Sequence, residues 1–494
     1  MAGKGDSVEL PTDVASPTPR ESRWLIALVF AGIALRILVI VFRAGELSTD
    51  PDPDAYVAHA ETLRETGGFN VPGTETPTAF RPPFYPLLLA ALRATGIKVT
   101  FAVGLINVLA GALVIIATWW MARVIGLRGH WAAATAAAVG IDPILLRYTV
   151  LPMTEVLAAA MLSLAVLQVL KARSFLTSPM IEGHDVRHAH SPTKSAIVAG
   201  VCFGLSGLCR PVALITCAVL TLVQFFLLCW QSFGSRKSDA ASSTASTGRV
   251  VILPALVAGL ILLPWIIRNA THFNAFVPAT THGGYTLLLG NNDVFYDEVV
   301  LPAGNPVWDG KSLDRWQQQL QRELTEDGAA QGNEVAVDEW MYDRAVRTVK
   351  ARPGVFVQAC VLRWRRFWAL TPAMDSYDAA SVWLSVPVAV WYTVLWAGLP
   401  GSILFCVVNS RFVRCFRRTV VTDKSCPSSV LFRSVADIQL LWVSVLSFLV
   451  LHSFYWTNAR MRGPVMGILC VLAVTGWRYW YSLWIRRRSG KRPA

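Results

Sequence analysis

Three carboxylates stand at alternate positions in Asp50-Pro51-Asp52-Pro53-Asp54, directly after the first apolar run long enough to cross a membrane. The two prolines hold the backbone extended, and alternate residues of an extended strand project to one side. Acids gathered this way raise the pKa of at least one towards the range of a general base. Asp54 also reads as the N-cap of a helix beginning at Ala55, with an apolar stripe of Tyr56, Ala60 and Leu63 and a stop at Gly67-Gly68. The plain alternative is a solvated acidic turn capping a surface helix. Charge this dense beside a membrane segment is costly unless it handles a polar substrate there, so Asp54 and Asp52 are candidate catalytic acids.

Arg81 precedes Pro82-Pro83 at the start of a short apolar segment, 84–92, too short to cross and read as a re-entrant or interfacial helix. It can snorkel to the headgroups, or it can meet a phosphate or carboxylate there. Glu155 falls in the first turn of a span, where the helix dipole alone favours an anion. Arg210 sits at a hairpin between two spans, Arg268 ends another, and Arg460 and Arg462 follow Tyr455-Trp-Thr-Asn458. All four places face outward in the topology below, against the rule that puts arginine inside, and an outer-leaflet lipid phosphate is the natural shared partner. Arg36 lies within the first span, where an interior pairing or snorkelling must offset its cost of roughly 2.5–3.5 kcal/mol. His184, His188 and His190 resemble metal-ligand spacing but read as a solvated tract.

The elements that must position these groups are membrane spans. The chain has 494 residues, 54% hydrophobic and only 16% charged, with a mean hydropathy of +0.45. Soluble domains carry about 25% charged residues, so this balance points to a bilayer. The net charge of +13 sits in short clusters between apolar runs, which suits topology and anionic lipid rather than nucleic acid. The nine cysteines show no paired motif, so neither a disulfide framework nor a zinc site follows.

Ten spans are expected, near 24–42, 101–122, 130–149, 153–170, 195–209, 211–230, 250–267, 381–408, 437–456 and 464–484, the third interrupted by Asp142-Pro143. Basic residues in the short loops place the N-terminus inside and residues 43–100, 143–152, 268–380 and 457–463 outside. The organisation expected is a tail (1–23) and an N-terminal catalytic module (24–267) with a first outer loop (43–100). An outer loop domain (268–380), C-terminal helices (381–485) and a basic tail (486–494) follow. Within the loop domain, 312–326 and 335–351 read as helices.

Asp54-Ala-Tyr56, the helix ending at Gly67-Gly-Phe69, and Thr78-Ala-Phe-Arg-Pro-Pro-Phe-Tyr-Pro86 resemble the first outer loop of GT-C class membrane glycosyltransferases, notably the protein O-mannosyltransferase and aminoarabinose transferase families. Glu155 is similar to the acid of their second loop. Gly207-Leu-Cys-Arg-Pro211, Pro264-Trp-Ile-Ile-Arg-Asn269 and Gly283–Asn292 carry the likeness further. Many relatives have a second acid where this chain has Ala55, so the second acid stays open. The resemblance implies an all-α polytopic fold and inverting transfer of a sugar from a polyprenyl phosphate to a lipid, glycan or protein hydroxyl. It implies Asp54 as base, with Asp52 and Glu155 beside it. It implies Arg81, Tyr56, Arg210, Arg268, Arg460 and Arg462 as the substrate-binding set. No cofactor is expected, and a divalent ion beside Asp52 and Asp54 is left open, since two or three carboxylates do not specify one. The partners expected are the lipid-linked sugar, its acceptor and membrane lipids, at a bacterial inner membrane with the site facing outside. A transporter or flippase of lipid-linked sugars is the alternative, though the charges gather at one face and no repeat is apparent.

Overall fold

The computed structural model describes residues 17–43, 52, 54–177, 191–233, 240–306, 308, 310–329, 332–371, 382–419 and 428–488. Asp50 and the histidine tract lie outside the described residues. The described residues are mostly helical, and among them an isolated antiparallel bridge joins Asn70 and Pro77. Eight of its helices are long and apolar enough to cross a membrane. Of the ten expected spans, two are shorter: Pro192–Gly207 has 16 residues, and the interrupted run is broken at Asp142 into His130–Gly140 and Pro143–Arg147. Asp142 causes the break, because its side chain accepts from the Leu145 amide at 3.0 Å and Pro143 supplies no donor.

The first span, α1 (Pro19–Phe42), starts earlier than its apolar run. Thr18 and Glu21 form a reciprocal capping box, with Pro19 at the first helical position. Glu21 also accepts from the Gly129 amide at 2.7 Å and pairs with Arg123 at 2.8 Å, fastening the inner end of α1 to a neighbouring loop. In the first outer loop, α2 (Tyr56–Thr66) stops at Gly67 with φ 72°, the left-handed conformation that ends helices and that glycine adopts freely. The short α3 (Phe84–Ala94) follows.

The spans α4 (Val99–Val124), α5 (Glu155–Thr177), α6 (Pro192–Gly207), α7 (Val212–Phe233), α8 (Ala240–Phe273), α9 (Val382–Thr419), α10 (Ser428–Phe454) and α11 (Met466–Arg488) complete the bundle. A 3₁₀ turn, Ala459–Val465, leads directly into α11. The most apolar stretches of α5 and of the Ala459–Arg488 segment are 78% and 94% buried, against 11% for α1. These two helices are therefore the axis of the bundle, and lipid-facing α1 lies at its rim. Glycine permits their close packing: a Cβ at Gly476 of α11 would overlap the carbonyl oxygen of Gly398 in α9.

The long outer loop packs helices Gly310–Glu326, Glu334–Ala351 and Pro353–Phe367 around Leu288, Phe295, Tyr296, Trp308 and Trp316. Trp456, from the loop before α11, joins this aromatic cluster. Arg363 ties the unit to the outer end of α10 by donating to the carbonyl of Ser453 at 2.7 Å and to Gly290.

Candidate active site

Alternation of the spans brings the start of α5, the α6–α7 hairpin, the first outer loop and the turn before α11 to one end of the bundle. There the structure gathers two acids and three arginines. Arg81 Nη2 lies 2.9 Å from Asp54 Oδ1, and Arg460 Nη2 lies 3.5 Å from Asp54 Oδ2. Arg210 Nη2 lies 2.5 Å from Glu155 Oε1, which Arg460 Nε approaches at 3.6 Å. Arg460 thus bridges the two carboxylates. Glu155 is fully buried, and Arg210 is steadied by donation to Thr154 Oγ1 at 3.0 Å.

Asp54 does not cap α2. That place belongs to Asp52, whose carboxylate accepts from the amides of Tyr56, Val57 and Ala58 at 2.9, 2.7 and 3.0 Å. Ala55 makes the exchange possible by adopting φ 57°, an uncommon left-handed conformation for a side-chain-bearing residue. The turn it creates points Asp54 away from the helix and into the arginines. Burial raises the pKa of Asp52, against the lowering by its three amides. Burial would also raise Asp54, but Arg460, Arg81 and Arg210 outweigh it and hold Asp54 below the usual carboxylate range. Of the two acids Asp52 is thus the raised one, and Asp54 is lowered because arginines surround it. Tyr56 is buried, its ring edge-on to Tyr85 at 5.5 Å and 5.9 Å from the Arg81 guanidinium, and burial pushes its hydroxyl up to about 12.

The other two arginines are engaged elsewhere. Arg268 donates to the carbonyls of Thr78 at 2.8 Å and Phe69 at 2.5 Å, and lies over the Trp265 ring at 5.0 Å. Arg462 is fully buried, donates to the carbonyls of Phe367 and Ala369 at 2.7 Å each, and lies 4.0 Å from the Tyr392 ring centroid. Both hold outer segments in place. Arg36, whose partner sequence left open, donates to the carbonyls of Gly32 and Gly140 at 3.2 Å each.

Two residues escaped the sequence reading. His282 Nε2 lies 3.2 Å from Arg81 Nη1. Glu334 accepts from Thr78 Oγ1 at 2.6 Å, from the Ala79 amide at 2.9 Å and from Thr281 Oγ1, clasping the first loop to the outer unit. The glycines after His282 and the helix start at Glu334 were the only local signals. No group of three or more His, Cys, Asp and Glu side chains suited to a metal ion occurs among the described residues.

No protein-family model and no curated protein matches the sequence. Solved structures do match. The oligosaccharyltransferase of Archaeoglobus fulgidus, tethered with an acceptor peptide containing the NVT sequon, shares 13% identity over 96% of this chain and 51% of its own, with a TM-score of 0.51. The fold is that of the GT-C glycosyltransferases. The oligosaccharyltransferase AglB of Archaeoglobus fulgidus, in complex with an inhibitory peptide and a dolichol-phosphate, matches with a TM-score of 0.49, at 13% identity over 97% of this chain and 53% of that one. The Pmt1-Pmt2 protein O-mannosyltransferase complex of S. cerevisiae, bound to the sugar donor, gives 0.42 at 14% identity over 61% and 39%. This chain spans about half the length of the archaeal structures it matches.

Proposed function

We propose that this protein is an inverting glycosyltransferase that moves a sugar from a polyprenyl-phosphate donor to a hydroxyl of a lipid, glycan or protein at the outer face of a membrane, such as a bacterial inner membrane. The observation that carries this is the charge count of the cluster. Arg81, Arg210 and Arg460 face Asp54 and Glu155, leaving one positive charge over at the end of the bundle that the proposal sets among the outer headgroups. A surplus cation that is mostly buried yet reachable is a receptor for a lipid-borne phosphate. The GT-C fold, shared with an enzyme solved with an acceptor peptide, supports sugar transfer as the use of that receptor.

The residues suggest the steps. Phosphate of the donor draws the guanidinium groups of Arg81 and Arg460 towards itself. Asp54 loses their compensation, its pKa rises, and it becomes a stronger base only when donor is bound. Asp54 then takes the proton of the acceptor hydroxyl as its oxygen attacks the anomeric carbon. The carbon–phosphate oxygen bond breaks, and the arginines offset the charge left on the phosphate. Glu155 holds Arg210 and Arg460 in position, and Asp52 fixes the turn that aims Asp54.

Asp54→Asn tests the assignment. Reconstituted enzyme, supplied with radiolabelled polyprenyl-phosphate sugars and membrane acceptors, should lose transfer by 10²-fold or more, about the scale of a general-base contribution, while inserting normally. Transfer at the wild-type rate by that variant overturns the reading, and donor movement across the bilayer without transfer favours a flippase.

A further inference from the structure

The outer loop unit contributes a side chain to the acid–arginine cluster, and one of its polar atoms is unused. His282 stands immediately before the helix Gly283–Gly290. Its ring is fixed by Phe80, edge-on at 4.3 Å, and by Tyr285, stacked at 5.3 Å. Arginine can only donate hydrogen bonds, so the contact between Arg81 Nη1 and Nε2 makes Nε2 the acceptor. The proton of the neutral ring is then on Nδ1. That nitrogen is shielded from solvent and has no hydrogen-bond partner among the described residues. Burial and the neighbouring Arg81 push the ring's pKa down to about 3, so it stays neutral at physiological pH.

An N–H donor left unmatched in a buried place costs free energy that a ligand acceptor recovers. Its surroundings say which acceptor. Arg81 is its direct partner and Asp54 is next to that, so any group reaching Nδ1 lies in the field of the surplus positive charge. A neutral donor beside arginines suits an anionic oxygen, and it adds direction that point charges do not.

We infer that His282 is a ligand-binding residue whose Nδ1–H donates to a phosphate oxygen of the lipid donor, making the outer loop unit part of the donor site. This rests on the proposed donor class and extends it to a residue outside the membrane-spanning bundle.

The test separates the two ring nitrogens. His282→Gln keeps an acceptor near the Nε2 position for Arg81 and removes the Nδ1 donor; His282→Asn keeps an amide donor near Nδ1 and removes the acceptor. The measurement is binding of sugar-free polyprenyl phosphate to the purified full chain in detergent micelles, followed by tryptophan fluorescence. The expected result is affinity weakened about tenfold in His282→Gln, about 1.4 kcal/mol, and within about threefold of wild type in His282→Asn. Wild-type affinity in His282→Gln, or equal loss in both variants, overturns the inference. Sugar transfer is assayed separately on the same preparations. Transfer by wild type with unaltered binding in His282→Gln sinks the histidine role alone, whereas absent transfer with weakened binding sinks only the enzymatic reading.

Discussion

The pair formed by Glu155 and Arg210 offers the sharpest check on the site's energetics. Glu155 is fully buried and its contact with Arg210 is 2.5 Å, so removing Arg210 leaves the buried carboxylate with the more distant Arg460 alone, and removing Glu155 leaves Arg210 without an acid. Breaking a buried pair from one side costs roughly 3–5 kcal/mol. Arg460 stays 3.6 Å from the same oxygen and compensates in part, which places Arg210→Met near the lower end, about 3 kcal/mol. In Arg210→Met/Glu155→Gln both members of the pair are neutral while Arg460 keeps Asp54, and what remains is the loss of hydrogen bonds worth about 1 kcal/mol each. The double variant should therefore be more stable than Arg210→Met alone, by about 1–2 kcal/mol, while its sugar transfer stays abolished. Reversible unfolding in mixed detergent micelles, read by tryptophan fluorescence, gives all corners of the cycle. Additivity of the single effects to within about 0.5 kcal/mol would show the two side chains to be uncoupled and would refute the charge argument.

Two further outcomes follow from the geometry. Asp54 is held below its ordinary value, so in the folded protein it stays ionised as pH falls through about 4; its stabilising contribution is complete above that point and is lost only as pH falls through the lowered value. The acid limb of kcat/KM should accordingly lie below pH 4 in wild type and move upward in Arg81→Met, and a limb that does not move identifies a different titrating group. Gly476→Ala should destabilise the bundle by about 1–3 kcal/mol, since the added methyl meets the Gly398 carbonyl oxygen where two backbones touch; an unchanged unfolding midpoint would show that α9 and α11 can part without cost.

What the sequence disclosed depended on how local the cause was. Apolar runs located the spans because length and composition alone decide bilayer crossing, and Gly67 ended α2 as expected because its left-handed backbone is a local demand. Asp54, Arg81, Arg210 and Arg460 were legible as chemistry out of place in a membrane loop. The capping exchange between Asp52 and Asp54 was not, since either acid satisfies the pattern and the choice turns on the positive φ of Ala55. Nor could sequence separate Arg268 and Arg462 from the site arginines. A guanidinium that pairs with Asp54 or Glu155 and one that donates to the carbonyls of Phe69 or Phe367 present the same donors. His282 comes from a segment with little periodic signal and Glu334 opens a helix that was legible, but the roles of both exist only through contacts with Arg81 and Thr78.

The bridging cation is supplied by the turn that leads into the final helix, whereas the acid it serves stands just after the first. During synthesis, then, Asp54 and Glu155 enter the membrane long before Arg460 is translated, and Arg81 and Arg210 alone balance their charge. A polypeptide ending before Ala459 lacks the bridging cation, and its cluster holds two arginines against two acids with no positive charge in surplus.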